Sequence, residues 1–388
     1  MRILHLIDSS GLYGAEKMII SLAIEQLKLG LFPVIGSIRD IGISDKPIEV
    51  EARKYNLKVQ TFDMKPGFNI SGIREIIRYA KSENFDIVHS HGYKPNILMG
   101  FTPKFIRKIP VVSTLHGWTN ADRWTKMRIY EKLDTVALLF VDKIALVSKG
   151  MLSKPQLRKI SSHKKLLINN GIDISVNAHG ITDKKQLISE GCTNPRLQNK
   201  LLTLTENGLV VASFGRLSHE KGYSYLIESI KILRDKYKLN AKLLLVGDGP
   251  DRGKLEKQVY DSDLSDHCLF TGYIDNAKNL LPLIDYYVIS SITEGLPITL
   301  LEVMLSQTPI VTTNVGGIPH VVDHNKDALL VPPADPQAIA AAINNLSNNP
   351  SLTSSLIHSS SNKVAQLYSS KRMAIEYLKM YKSVVNSF

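Results

Sequence analysis

The chain reads as an α/β protein of two doubly wound parallel-sheet domains in tandem, and three features predict this. Short β-rich apolar runs alternate with longer stretches of helical periodicity, the pattern of a parallel sheet covered by helices. The alternation fades between about 165 and 207 and then restarts. Glycine-bearing turns follow several of the apolar runs, at the sheet end where such folds receive ligands.

Taken in order, RILHLI (2–7), PVIGSI (33–38), LKVQTF (57–62), DIVHSH (86–91), VVSTLH (111–116) and DKIALVS (142–148) read as the strands of a first array. AEKMIISLAIEQLKLG (15–30) reads as an intervening helix closed by a C-cap glycine. KKLLINNGID and the polar stretch after it form the break. LVVASFG (209–215), AKLLLVGDG (241–249), CLFTGY (268–273), DYYVISS (285–291) and PIVTTN (309–314) are the second set of strands, with YSYLIESIKILRDKY (223–237) among their helices. The domains are therefore 1–167 and 168–371, followed by a terminal helix within 372–388. Two such domains facing each other place the expected site in the cleft beyond their strands' carboxyl ends.

A length of 388 residues fits two domains. Cys192 and Cys268 lie far apart with no C-x-x-C, and Met1 leads directly into the first strand with no signal peptide. The apolar run VALLFV (136–141) is core-sized, well short of the roughly 20 residues of a membrane span. A reduced, cytoplasmic protein is expected. The net charge of +12 is lopsided: residues 1–165 hold 27 basic and 15 acidic residues, and residues 166–388 hold 21 of each. Such asymmetry marks a nucleic-acid or membrane partner, or simple solubility. Zinc-finger spacing and RNA-binding aromatic motifs are absent, so nucleic acid is not expected. KFIRK (104–108) and KMRIYEKL (126–133) suit loose contact with an anionic membrane through residues 1–165.

Unusual residues cluster where strands end. In SSGLYGAE (9–16), Gly11 and Gly14 permit close backbone approach before a helix N-terminus that can face an anion. In GRLSHEKG (215–222), Arg216 and Lys221 pair a fork donor with a point charge, as a diphosphate requires. In TNVGGIPH (313–320), Gly316 and Gly317 read as opening another helix whose N-terminus forms a further anion site. In LHGW (115–118), His116 closes a strand and would face the cleft. A plain turn or a structural histidine would account for any one of these alone. TEGLPITLLE (293–302) adds Glu294 in a loop and Glu302 inside a helix, with Gly295 in a tight bend and Pro297 in the first helical turn. Amides and cations suit a diphosphate, and carboxylates suit sugar diols. A nucleotide sugar contains both.

With these motifs in this order, the chain resembles glycosyltransferase family 4, of GT-B fold, over nearly its whole length and most strongly from 209 to 332. The E-x7-E pair, GRLSHEKG, LLLVGDGP (243–250), TEGLPITLLEVM, the TNVGG glycines and SGLYGAE carry the resemblance. It implies that Glu302 grips the donor ribose, and that Glu294 contacts the transferred sugar near its C3 hydroxyl. It places Gly295 and the Leu296 amide beside that sugar, Arg216 and Lys221 on the diphosphate, and His116 next to the donor sugar. It also implies retention of anomeric configuration, a UDP-sugar donor with no other cofactor, and a glycan or lipid-linked acceptor held by the N-terminal domain. The last helix is expected to cross back to that domain. Fixed cations stand in for a divalent metal, so no metal is expected. His320 departs from the family's usual glutamate. A nicotinamide-dependent oxidoreductase would need G-x-G-x-x-G, which SGLYGAE and VGDGPD do not supply. A two-lobed solute-binding protein would normally carry an export signal. A catalytically silent homologue fits poorly with Glu294, Glu302, Arg216 and Lys221 all in place.

Overall fold

A strand covered on both faces has no solvent side, so it reads as a continuous apolar run. RILHLI is of that kind: β1 (Arg2–Ile7) is buried from Ile3 to Ile7. In the computed structural model, which describes every residue except 10, 13, 66, 68, 117–125, 153, 175–182, 207 and 276, alternation of strand and helix continues from there. The first array is α1 (Gly14–Lys28), β2 (Phe32–Arg39), α2 (Pro47–Lys54), β3 (Lys58–Asp63), α3 (Ile70–Ser82), β4 (Ile87–His91), α4 (Tyr93–Gly100), α5 (Lys104–Arg107), β5 (Val111–Leu115), α6 (Lys126–Ala137), β6 (Lys143–Leu146) and β7 (Lys165–Leu167). The second is α7 (Lys184–Gly191), α8 (Pro195–Glu206), β8 (Leu209–Phe214), α9 (Tyr223–Asp235), β9 (Ala241–Val246), α10 (Arg252–Asp261), β10 (Cys268–Phe270), β11 (Tyr286–Ile289), α11 (Ile298–Leu305), β12 (Ile310–Thr313), β13 (Leu329–Val331), α12 (Pro336–Asn348) and α13 (Pro350–Leu367). The chain closes with α14 (Ser370–Val385).

Two compact units result: Met1–Asp173 with Tyr368–Phe388, and Ile174–Leu367. The first holds a seven-stranded parallel sheet in the order β3-β2-β1-β4-β5-β6-β7, cored by Leu4, Leu6, Val34, Phe62, Val88 and Val111. The terminal helix α14 belongs to this unit and packs on α1. The second unit holds a six-stranded parallel sheet, β10-β9-β8-β11-β12-β13, cored by Val211, Leu226, Leu243, Val288 and Val311. The strand order reverses between β1 and β4, and between β8 and β11. At such switch points the flanking connections leave on opposite faces and open a crevice at the carboxyl ends. Among the described residues, no helix is long and apolar enough to cross a membrane.

Four details differ from the sequence reading. The edge strands β7 and β13, three residues each, are too short to show a period. The polar stretch after 165 contains α7 and α8, which bury few residues: Leu187, Ile188 and Gly191 on one, Leu201, Leu204 and Thr205 on the other. TNVGG opens no α-helix, only the single 3₁₀ turn Ile318–His320, and Pro297 stands one residue before α11 rather than inside it.

Candidate functional site

The switch point of the second unit gathers the loops after β8 and β11. The β8 loop ends in the 3₁₀ turn His219–Lys221 and Gly222, whose φ of +65° favours glycine. A Cβ at Gly222 would stand 2.2 Å from the Ser290 carbonyl oxygen, so only glycine lets this turn lie against the end of β11. The contact carries Lys221 to Glu294, and Nζ pairs with Oε1. Ser290 Oγ donates to the Lys221 carbonyl at 2.9 Å, and Ser291 Oγ donates to Glu294 Oε1 at 2.8 Å. Thr313 Oγ1, at the end of β12, donates to the Ser291 carbonyl at 2.7 Å. The Glu294 side chain is only 11% exposed and that of Lys221 26%. A largely buried carboxylate held by a cation and a hydroxyl is oriented as an acceptor.

The glycines of TNVGG press on the same loop. Gly316 has φ +57°, and a Cβ there would stand 1.8 Å from the Glu294 carbonyl oxygen. Gly317 N donates to the Gly295 carbonyl at 2.7 Å. Both glycines therefore shape the backbone that presents Glu294, Gly295 and Leu296. Gly295 is exposed and Leu296 half-buried. Glu302 is half-buried on α11. Beneath lies Tyr287, whose hydroxyl accepts from Phe214 N at 2.9 Å. Burial, and then the charges of Tyr223, Glu302 and Glu294, hold its phenol well above its ordinary pKa, so it stays protonated. Arg216 is exposed and makes no ion pair with any described residue. Ser290, Ser291, Thr313 and Tyr287 escaped the sequence reading; polar residues closing β-rich apolar runs were their only signal.

In the first unit, His116 directly follows β5, half-buried, with its pKa lowered to about 4 by burial. Gly117 and Trp118 of the LHGW motif lie outside the described residues. Gly11 forms a tight turn with Ser9, whose Oγ donates to the Gly11 carbonyl at 2.7 Å, and Gly14 begins α1; Ser10 and Tyr13 between them lie outside the described residues. Asp8, just before this turn, pairs with Lys46 at 2.7 Å and Lys94 at 3.1 Å, which the sequence did not suggest. An apolar cavity of about 470 Å³ lies between α4 and α6, lined by Ile97, Leu98, Phe101, Ile129 and Leu133.

Helix α6 is inverted. Glu131 and Asp134 are buried, while Met127, Ile129, Leu133 and Val136 are exposed. Asn96 Nδ2 donates to Asp134 Oδ1 at 2.8 Å, and Asn96 Oδ1 accepts from Ser90 and Ser113. Burial raises the Asp134 pKa to about 7. In KFIRK, Phe105 and Ile106 are exposed, but Arg107 is not a surface cation: it is 1% exposed and meets Asp142 at 3.0 Å. Lys104 also pairs with Asp142.

Residues 13–176 match the family described as Glycosyltransferase Family 4, and residues 197–363 match Glycosyl transferases group 1. The 2-deoxystreptamine N-acetyl-D-glucosaminyltransferase of Niallia circulans is 26% identical, over 81% of this chain and 80% of that protein. An Escherichia coli enzyme, UDP-Gal:alpha-D-GlcNAc-diphosphoundecaprenol alpha-1,3-galactosyltransferase, is 26% identical over 68% of each. The crystal structure of Anabaena Alr3699/HepE in complex with UDP superposes with a TM-score of 0.81 at 20% identity, covering 99% of this chain and all of that one, a likeness of fold. Both halves of the chain and both of its sheets thus point the same way, and the chain belongs to glycosyltransferase family 4, as a GT-B glycosyltransferase.

Proposed function

We propose that the protein is a retaining, metal-independent glycosyltransferase that moves a hexose-type sugar from a UDP-sugar to a glycan or lipid-linked acceptor in cell-surface polysaccharide assembly. The observation that carries this reading is the Lys221–Glu294 pair at the β8/β11 switch point, with the exposed Arg216 on the same loop. Glu302 accepts the ribose hydroxyls. Glu294 accepts the hydroxyl near C3 of the transferred sugar, and the amides of Gly295 and Leu296 flank that sugar. Arg216 and Lys221 hold the diphosphate and stabilise the charge that grows on it, the usual large electrostatic contribution. His116 contacts the donor sugar, and Gly11 and Gly14 bring backbone to the ligand. Gly316 and Gly317 act on the donor through the Glu294 loop. The acceptor oxygen bonds to C1 on the face the diphosphate leaves. The electron pair of the broken C1–O bond stays with the phosphate, which takes the acceptor's proton. Fixed cations supply the charge that a divalent ion would.

The inverted α6 and the neighbouring Phe105 and Ile106 support peripheral contact with an anionic membrane. They set apolar side chains among the excess basic residues of the N-terminal part, and the apolar cavity beside α6 suits a lipid portion of the acceptor. The UDP-Gal donor and the diphosphoundecaprenol-linked acceptor in the name of the Escherichia coli relative agree with both choices. A panel of nucleotide sugars, with detection of released nucleoside diphosphate and NMR of the product's anomeric centre, tests the reading. UDP release with a retained anomeric centre is expected. An inverted product, or preference for a donor without a diphosphate, would overturn it.

A further inference from the structure

Three imidazoles lie inside the first sheet, where apolar residues are the rule. His5 in β1 pairs in register with His89 in β4, and His91 ends β4 beside Ile7. All three are at most 1% exposed. A buried neutral imidazole has one donor and one acceptor nitrogen, and both need partners. His5 Nε2 meets Gln26 Oε1 at 2.8 Å, and His5 Nδ1 meets His91 Nε2 at 3.1 Å. His91 Nδ1 meets His116 Nε2 at 3.3 Å. His89 is satisfied separately, by Tyr381 and Thr114 at 2.7 Å each. The three rings also have a spacing that could hold a metal ion, but every ring nitrogen of the trio already has a hydrogen-bond partner.

Burial holds His5 and His116 at pKa values of about 4, and keeps His91 well below its ordinary value, so all three rings are neutral near pH 7. The chain of bonds then has one polarity, set at its start. The Gln26 amide nitrogen donates to Tyr381 Oη at 3.2 Å, so its oxygen faces His5 and accepts from Nε2–H. His5 Nδ1 must then accept from His91 Nε2–H, and His91 Nδ1 from His116 Nε2–H. What is left on His116 is the Nδ1 lone pair, which no described residue engages.

We propose that Gln26, His5 and His91 are positioning residues: a buried relay, anchored by Tyr381 of the terminal helix, that fixes His116 as its Nε2–H tautomer and leaves Nδ1 as an acceptor for a hydroxyl of the transferred sugar. The sugar role rests on the proposed function; the tautomer does not. An imidazole ending a relay of the opposite polarity would present N–H there, and the hydroxyl would then have to accept rather than donate.

Long-range ¹⁵N–¹H NMR of the histidine-labelled full-length enzyme, without substrate, reads the tautomers directly. His5, His91 and His116 are each expected as neutral Nε2–H. Tyr381→Phe, which keeps the ring and removes the anchor, and Gln26→Leu should each give His116 a mixture of both tautomers. Turnover in these variants should fall by the fraction of His116 held in the other tautomer, about twofold for an even mixture, with UDP affinity unchanged. An Nδ1–H tautomer at His116 in the wild type would overturn the relay, as would a pure Nε2–H signal in both variants. So would stoichiometric zinc in the purified protein, because zinc would take the lone pairs that these bonds use. If the NMR is as expected but His116→Ala keeps full turnover, the positioning role falls while the tautomer assignment stands.

Discussion

Glutamine at 294 keeps the side chain's shape and removes the charge that Lys221 and Ser291 hold. Glu294→Gln is expected to cut turnover by roughly 10²–10³-fold, the scale seen when one preorganised polar contact to a reacting group is lost. UDP binding should be nearly unchanged. Wild-type turnover with the identified substrates would remove Glu294 from the proposed mechanism. Glu302→Ala should instead weaken donor binding, which calorimetric titration with UDP measures. Gly316→Ala tests the loop rather than the charge. Its Cβ would stand 1.8 Å from the Glu294 carbonyl, at a φ of +57°. Relief requires moving the very backbone that presents Glu294, so turnover should fall together with a stability loss of about 1–3 kcal/mol. Thermal unfolding and nucleoside diphosphate release, measured side by side, check it.

At the scale of elements, α6 carries two separable consequences. Its inner face holds Asp134, whose Oδ2 is buried with no hydrogen-bond partner among the described residues and whose pKa burial raises to about 7. The unfolded carboxyl releases its proton near pH 4, while the folded one keeps it to about 7. Its contribution to stability is therefore complete below pH 4, declines as the pH rises across that window and levels off above 7. Asp134→Asn removes the buried charge. It should raise stability at pH 8 by on the order of 2–4 kcal/mol, with the difference vanishing near pH 4; chemical denaturation at the two pH values measures both. The outer face holds Ile129 and Leu133, 61% and 41% exposed. Ile129→Ser with Leu133→Ser should leave stability nearly unchanged and reduce sedimentation with acidic vesicles. Equal sedimentation would clear α6 of any part in membrane contact.

For the whole molecule, the charge is the relevant quantity. An attraction between the basic N-terminal part and anionic lipid contributes about 1 kcal/mol per basic residue near the surface and is screened within a Debye length of about 10 Å at 0.1 M salt. Binding to acidic vesicles should thus be strong at low salt and lost at high salt, with none to neutral vesicles. Equal binding to both lipid types would overturn the electrostatic account. EDTA should leave turnover unchanged; loss restored by Mg²⁺ or Mn²⁺ would contradict charge stabilisation by Arg216 and Lys221 alone.

By itself the sequence determined the fold class and the loops that carry the candidate site, because both are written locally. Buried strands are continuous apolar runs, and βα turns declare themselves by glycine, proline and charge, as in GRLSHEKG and TEGLPITLLE. Only the tertiary structure decided what those residues touch. Lys221 and Glu294 are 73 residues apart, and Gln26 and Tyr381 are 355 apart. No local period encodes such pairings; they arise when parallel strands are laid in register and a terminal helix returns to the first sheet. The same reason explains Gly316 and Gly317, which look like an anion-binding turn but shape the Glu294 loop. It also explains α6, whose buried acids and exposed apolar residues reverse the expected pattern, since Asn96 on α4 gives Asp134 a partner inside.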